Sequence, residues 1–437
     1  MHAKISQTNN REVDTMKTLI QGVKGARDFY PEEMAFRSWL YGKLANVSNR
    51  FGYQEYDGPF LEKIELYAAK SGEELVKEQS FVFPDRGGEL ITLRPELTPS
   101  LARMVAARQN ELVFPLRWWS FGPFWRYERP QKGRSREFFQ WNIDLVGANS
   151  READAEMLAV ACTFFKDVGL SPKEVAIAIN DRELMEAELL SIGISSEKLM
   201  DVYRLIDRRE KMSPENWANY ASEIGLTTDQ LTSIKGLLSN TQLWRNSPAL
   251  TYIFELLNAQ GLADYITYDP NIIRGLDYYT GIVFEARDME GGRAIFGGGR
   301  YNNLVSDVGG QPTGGLGFAM GDVVIKLTLE KYDKLPRINL SPARILVTVF
   351  DDASIKASVL LAYQLRTAGL NVEVYPEVVK LAKQFKYADR KQINYILVLG
   401  PDEVMAGNVT IKDLAKGLQT TIPVSLVVDY LHKTLDE

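Results

Sequence analysis

The 437-residue chain is short of the residues that carry most nucleophilic, redox and metal chemistry. It has one cysteine, Cys162, and two histidines, His2 and His432, each close to a chain end. A single thiol excludes a disulfide framework and a cysteine-based zinc site, and it suits a reducing, cytoplasmic setting. Histidines placed only at the ends argue against histidine acid–base catalysis and histidine metal ligation, so no residue is assigned to a metal site. No apolar run approaches the ~20 residues needed to cross a bilayer, and no charged-then-apolar leader opens the chain. A soluble protein with no membrane partner is therefore predicted. Excess positive charge is also missing: 51 Lys and Arg against 57 Asp and Glu give a formal charge of −6. Any imprint of phosphate binding must then be local.

What is present is enough apolar residue, 45%, for two or three packed domains. Residues 1–17 are polar and read as a flexible tail. From 18 to 333 a helical start near Pro31 to Phe51 gives way to strand-like, glycine-containing segments, a mixed α+β pattern. Within it, about 182–260 is rich in Leu, Glu, Lys and Ser at helical spacing, as in Leu184, Met185, Ala187, Leu189 and Leu190, and reads as a helical insertion. The prolines of Leu335-Pro-Arg-Ile-Asn-Leu-Ser-Pro342 mark a linker. Residues 341–437 then alternate strand and helix, which predicts a small α/β domain with a mostly parallel sheet.

The richest stretch for chemistry is Phe124 to Gly147. Its ends are strand-like around a Pro130 to Gly133 loop, which predicts a long antiparallel hairpin. Side chains alternate faces along a strand. Phe139, Trp141, Ile143 and Leu145 should face the core, while Phe138, Gln140, Asn142 and Asp144 share the other face, as do Arg126 and Glu128. From Arg126 to Arg136 five cations stand against Glu128 alone. Guanidinium groups hold phosphate or carboxylate oxygens two at a time, although a solvated hairpin with surface charges would show the same pattern.

This stretch resembles motif 2 of class II aminoacyl-tRNA synthetases, and Arg126-Tyr-Glu-Arg-Pro-Gln-Lys-Gly-Arg134 with Arg136, Phe138 and Gln140 resembles its histidyl version. The resemblance implies that Arg126 grips the substrate carboxylate and the α-phosphate of ATP, and that Phe138 stacks on adenine. Glu128 and Arg134 would lie near the nucleotide, with Gln140 and Asp144 facing the amino acid. In Leu93-Arg-Pro-Glu-Leu-Thr98, Glu96 and Thr98 have strand-like alternation, and the family uses this segment to bind the α-amino group.

Arg274-Gly-Leu-Asp-Tyr-Tyr-Thr-Gly-Ile-Val-Phe-Glu285 and Gly297-Gly-Gly-Arg-Tyr301 resemble the two signatures that set histidyl-tRNA synthetases apart. Recognition of an imidazole needs an acceptor for one N–H and a polar partner for the other nitrogen. Asp144 and Tyr279 fit, with Tyr278 and Tyr301 lining nearby. Arg274 would be the main catalytic cation and Arg126 its partner, because adenylate formation concentrates negative charge at the α-phosphate. The expected substrates are histidine, ATP and tRNA(His), with Mg2+ accompanying ATP. The implied architecture is a class II antiparallel sheet flanked by helices, a helical insertion and a C-terminal α/β anticodon-binding domain. Pro59, in Tyr56-Asp-Gly-Pro-Phe60, sits where motif 1 builds a dimer interface, so a homodimer follows by analogy.

One position departs from the family. After Gly317-Phe-Ala-Met-Gly321, motif 3 usually places an arginine on the γ-phosphate where this chain has Val324. Another cation such as Lys326, Arg134 or Arg300 compensates, or ATP is held more weakly, or the chain belongs to a branch with its own solution. The departure keeps an alternative alive: a non-catalytic, histidine-sensing regulatory subunit of ATP phosphoribosyltransferase. That subunit usually lacks a full anticodon-binding domain, whereas Leu365-Arg-Thr-Ala-Gly369, Lys383-Gln-Phe-Lys-Tyr-Ala-Asp389 and Val398-Leu-Gly-Pro-Asp-Glu403 resemble one. On the helix from Val378, residues Val378, Leu381, Phe385 and Ala388 should form a core stripe, leaving Lys380, Lys383, Lys386 and Arg390 free to meet RNA phosphates or simply water.

Overall fold

The computed structural model describes residues 20–68, 78–131, 133–273 and 279–435. Contacts divide the chain into two units, residues 37–335 with the segment before 29, and residues 336–437 with 29–36.

The first unit is built on an eight-stranded sheet and a smaller one of three strands. In chain order the strands are β1 (Gln54–Glu55), β2 (Leu61–Lys63), β3 (Phe81–Pro84), β4 (Leu90–Leu93), β5 (Leu116–Trp125), β6 (Glu137–Val146), β7 (Val175–Asp181), β8 (Ile266–Tyr268), β9 (Ile282–Asp288), β10 (Phe296–Tyr301) and β11 (Gly315–Gly321). The large sheet runs β1-β5-β6-β11-β10-β9-β7-β8 and the small one β2-β4-β3. Every pairing from β5 to β7 is antiparallel; only the outer pairs β1–β5 and β7–β8 are parallel. Between β7 and β8 the chain runs entirely through helices and turns, from Arg182–Ser191 to Pro248–Ala259, as a helical crossover between parallel neighbours must.

The hairpin forms as the alternation predicts, with β5 and β6 in register from Leu116 opposite Val146 to Trp125 opposite Glu137. Its two faces differ in kind. The back face packs Trp141, Phe284, Phe296 and Phe318 into one another and onto Phe164 of the helix Arg151–Asp167. The front face carries Phe138, Gln140, Asn142 and Asp144. Phe139, expected in the core, is only half buried and lies under the Arg37 guanidinium at 4.5 Å. Asn142 and Asp144 are themselves buried.

The second unit holds β12 (Ile345–Val347), β13 (Val372–Val374), β14 (Tyr395–Val398), β15 (Asn408–Asp413) and β16 (Leu418–Pro423) in the order β13-β12-β14-β15-β16. The β12 pairings are parallel, but β14–β15 and β15–β16 are antiparallel. The sheet is thus mixed rather than mostly parallel, because its last two strands form a hairpin. The core joins Ile345, Val347, Leu361, Leu365, Leu397 and Val409. The basic helix spans Leu381–Arg390 and buries Gln384 and Ala388. Val378 precedes it and is exposed, so it leaves the expected stripe. Gln384 takes the buried place because its amide accepts from Val349 N and donates to the carbonyls of Val349 and Val379.

Candidate active site

Two neighbouring regions of the front face hold the predicted residues. The first is a cleft of about 140 Å³ where the hairpin tip meets the start of the helix Asp322–Lys331; Arg126, Glu128, Arg134, Phe138, Gly321 and Val324 line it. The tip is tight, with Gln131 N donating to Arg134 O and Arg134 N to Gln131 O, and Gly133 adopts φ +80°. An L-residue resists that conformation. Arg126 is held by a 3.0 Å bond from Nε to Pro95 O, and its guanidinium stands 5.5 Å from the Phe138 ring centre. Arg134 Nε pairs with Glu128 at 2.6 Å. Asp322 is neutralised at the edge of the cleft, accepting from Arg27 Nη2 at 2.8 Å and from Phe139 N at 3.0 Å. All four residues assigned to ATP therefore line one space.

The second region is a window of glycines deeper in the sheet. Asp144 is 4% exposed and accepts a 2.7 Å hydrogen bond from Tyr301 Oη. Burial pushes its carboxyl up to about 7, against the smaller lowering effect of the Tyr301 hydroxyl. Across the strands Asp144 pairs with Gly317 and Gly317 with Gly299. A β-carbon on Gly317 would strike Asp144 Oδ1, one on Gly315 would strike the Tyr301 ring, and one on Gly299 would stand 2.8 Å from Tyr279 Cδ1. Gly299 of the second signature segment and Gly315 and Gly317 of the motif 3 strand therefore let a carboxylate and two tyrosines close on bare backbone. Gln140 lies on the same face, opposite Gly122 and Gly321.

Other assignments fall differently. Glu96 is buried one residue from the carbonyl that anchors Arg126. Thr98 is not on a strand: it opens the helix Thr98–Arg108, because Pro99 suits a first helical turn and ends the extended run. Arg274 and Tyr278 lie outside the described residues. The ends of their segment are tied by Arg182, which the sequence does not single out: its guanidinium donates to Ile273 O and Tyr279 O. Arg300, one of the cations that might replace the motif 3 arginine, points to the back face. There it pairs with buried Asp154 and donates to the carbonyls of Ala148 and Ser150, so it is not available to phosphate.

Residues 25–322 match the family model for histidyl-tRNA synthetase, and residues 345–434 match that for an anticodon binding domain. The chain belongs to the histidyl-tRNA synthetase family. It is 34% identical to the histidine–tRNA ligase of Leptospira biflexa and 34% identical to that of Haloarcula marismortui, each over 96% of this chain and 99% of the relative. The crystal structure of histidyl-tRNA synthetase from Nostoc sp. PCC 7120 superposes with a TM-score of 0.80 at 25% identity, covering 96% of this chain and all of that one. The fold is that of the class II histidyl enzymes: an antiparallel-containing sheet flanked by helices, followed by an anticodon-binding domain. Among the described residues no helix is long and apolar enough to cross a membrane.

Proposed function

We infer that the chain is an ATP-dependent histidine–tRNA ligase whose front-face cleft binds the nucleotide and whose glycine window binds the imidazole. The observation that carries this reading is the lining of one cleft by Arg126, Glu128, Arg134 and Phe138, together with the buried carboxylate of Asp144 on the same face of the sheet. In the first step the histidine carboxylate attacks the α-phosphate and pyrophosphate leaves. Arg126 and Arg274 stabilise the charge on the α-phosphate, and Phe138 stacks on adenine. Glu96 and Thr98 hold the ammonium, Gln140 faces the amino acid, Asp144 accepts from the ring, and Tyr278 and Tyr279 wall it. In the second step a terminal ribose hydroxyl of tRNA(His) attacks the adenylate carbonyl and AMP leaves. No protein side chain need act as a nucleophile.

Among the described residues no group of three or more His, Cys, Asp or Glu is placed to hold a metal. Mg2+ would enter on the ATP phosphates, with Glu128 as a carboxylate lining their cleft, and would supply neutralising charge. A homodimer is supported by Phe60, Leu61, Val82, Phe83 and Leu90, which leave apolar surface exposed on and beside the three-stranded sheet at the motif 1 position. The deciding experiment is histidine-dependent exchange of pyrophosphate into ATP, followed by transfer of labelled histidine to tRNA. Both should proceed. Arg274→Ala should abolish exchange while histidine binding falls only modestly; equal loss of both would misplace its role. Histidine binding without either reaction would favour the regulatory-subunit alternative, which the full-length match to histidine–tRNA ligases does not favour.

A further inference from the structure

The first turn of the helix Asp322–Lys331 presents Val324 to the nucleotide cleft, and a valine offers phosphate no donor. The other cations nearby already have carboxylate partners or lie outside the cleft. Arg300 is spent on the back face, Arg134 pairs with Glu128, and Lys331 pairs with Asp288 and Glu290. Lys326 lines neither the nucleotide cleft nor the space beside it.

Arg293 is differently placed. It leaves the turn between β9 and β10, after Gly291 and Gly292. It lines a second cleft of about 480 Å³ with Gly133, Val324, Leu327 and Thr328. Gly133 and Val324 line both clefts, so the two spaces meet at the hairpin tip. A β-carbon on Gly133 would stand 3.3 Å from Arg293 Cδ and 3.8 Å from its Nε. The side chain is half buried, and among the described residues it forms no ion pair. The same cleft carries the carboxylates of Asp288, which pairs with Lys331, and Glu330; a guanidinium that pairs with neither and lies beside the nucleotide cleft is suited to two-pronged phosphate binding.

We propose that Arg293 binds the β- and γ-phosphates of ATP, taking over the contact that Val324 cannot make. The assignment rests on the part of the proposed function that makes the front-face cleft the ATP site, and not on the transfer to tRNA. It explains how motif 3 loses its arginine without losing the triphosphate: the charge comes from the β9–β10 turn across the cleft instead of from the helix.

The test is calorimetric titration of the full chain with ATP and, separately, with AMP, which shares adenine, ribose and α-phosphate but lacks the tail. Loss of charge-assisted bonds should weaken ATP binding by Arg293→Ala about tenfold or more, with AMP within about twofold of the parent. Arg293→Lys should fall between, and adding Val324→Arg to Arg293→Ala should restore ATP binding. Arg293→Gln keeps the length of the side chain and answers the question should the alanine variant fold poorly. Unchanged ATP binding, or equal loss for ATP and AMP, would overturn the proposal. An Arg293-dependent preference for ATP in a chain that charges no tRNA would sink the synthetase reading and leave this one standing.

Discussion

Asp144 is where stability and recognition pull in opposite directions. Its folded carboxyl titrates at about 7 against 3.8 in the open chain, so between those values the folded state holds the extra proton. Stability linked to this group is therefore present at low pH and lost as pH rises through 7. Asp144→Asn removes the cost of the buried charge. Its Tm should gain on the parent progressively from about pH 4 to pH 7 and no further above, which thermal melts across pH would show. Under the proposed assignment function runs the other way, since an imidazole held by Asp144 needs the charged acceptor. Losing a charge-assisted hydrogen bond should weaken histidine about 10- to 100-fold in the Asn variant. The parent should also lose affinity as pH falls through 7. The ligand's own ring titrates equally with both proteins, so the difference between their profiles isolates Asp144. Matching profiles would remove Asp144 from the imidazole site.

Elements show what glycine contributes and how far the sequence reveals it. Gly317 and Gly236 are the same residue in opposite situations. A methyl on Gly317 would meet Asp144 and stand 2.6 Å from Ile143 O, whereas one on Gly236, at an exposed position of the helix Thr228–Ser239, would meet nothing within 4 Å. Gly317→Ala should cost about 1–3 kcal/mol and histidine affinity with it. Gly236→Ala should stabilise by about 0.5–1 kcal/mol with binding unchanged. Chemical denaturation with histidine titration on both variants checks the contrast, and equal effects would refute the window as a close-packed device. The hairpin and its two faces were legible because alternation of Trp141, Ile143 and Leu145 with Asn142 and Asp144 has one geometric meaning. The start of the helix at Thr98 was not, since three alternating residues before a proline fit a strand and a helical first turn alike. Arg300 belongs to a glycine signature by sequence yet serves the back face, and nothing local says which side of the sheet a strand residue takes. Val324 was legible as a departure, but Arg293 was not its visible replacement: the turn carrying it is distant in sequence, and only folding brings it to Gly133.

At the scale of the molecule the ligase reading asks two units to do separable work: activation in residues 37–335 and RNA capture by residues 336–435. The second unit has a surface suited to that work. Lys380, Lys383, Lys386 and Arg390 are all exposed on or beside one helix, while Gln384, Leu381 and Phe385 turn inward. A basic face that merely keeps the protein hydrated and one that binds anticodon phosphates look the same at rest, but they differ in salt dependence. Single-stranded RNA binding loses about 0.7 in the slope of log K against log salt for each phosphate contact removed. Replacing the four cations by alanine should therefore raise the KM for tRNA(His) and flatten its salt dependence, with pyrophosphate exchange untouched because no residue of the activation site has changed. Loss of exchange as well would mean that the units are not separable in function. An unchanged salt slope would return the helix to the role of a hydrated surface and place the anticodon contact elsewhere in the domain.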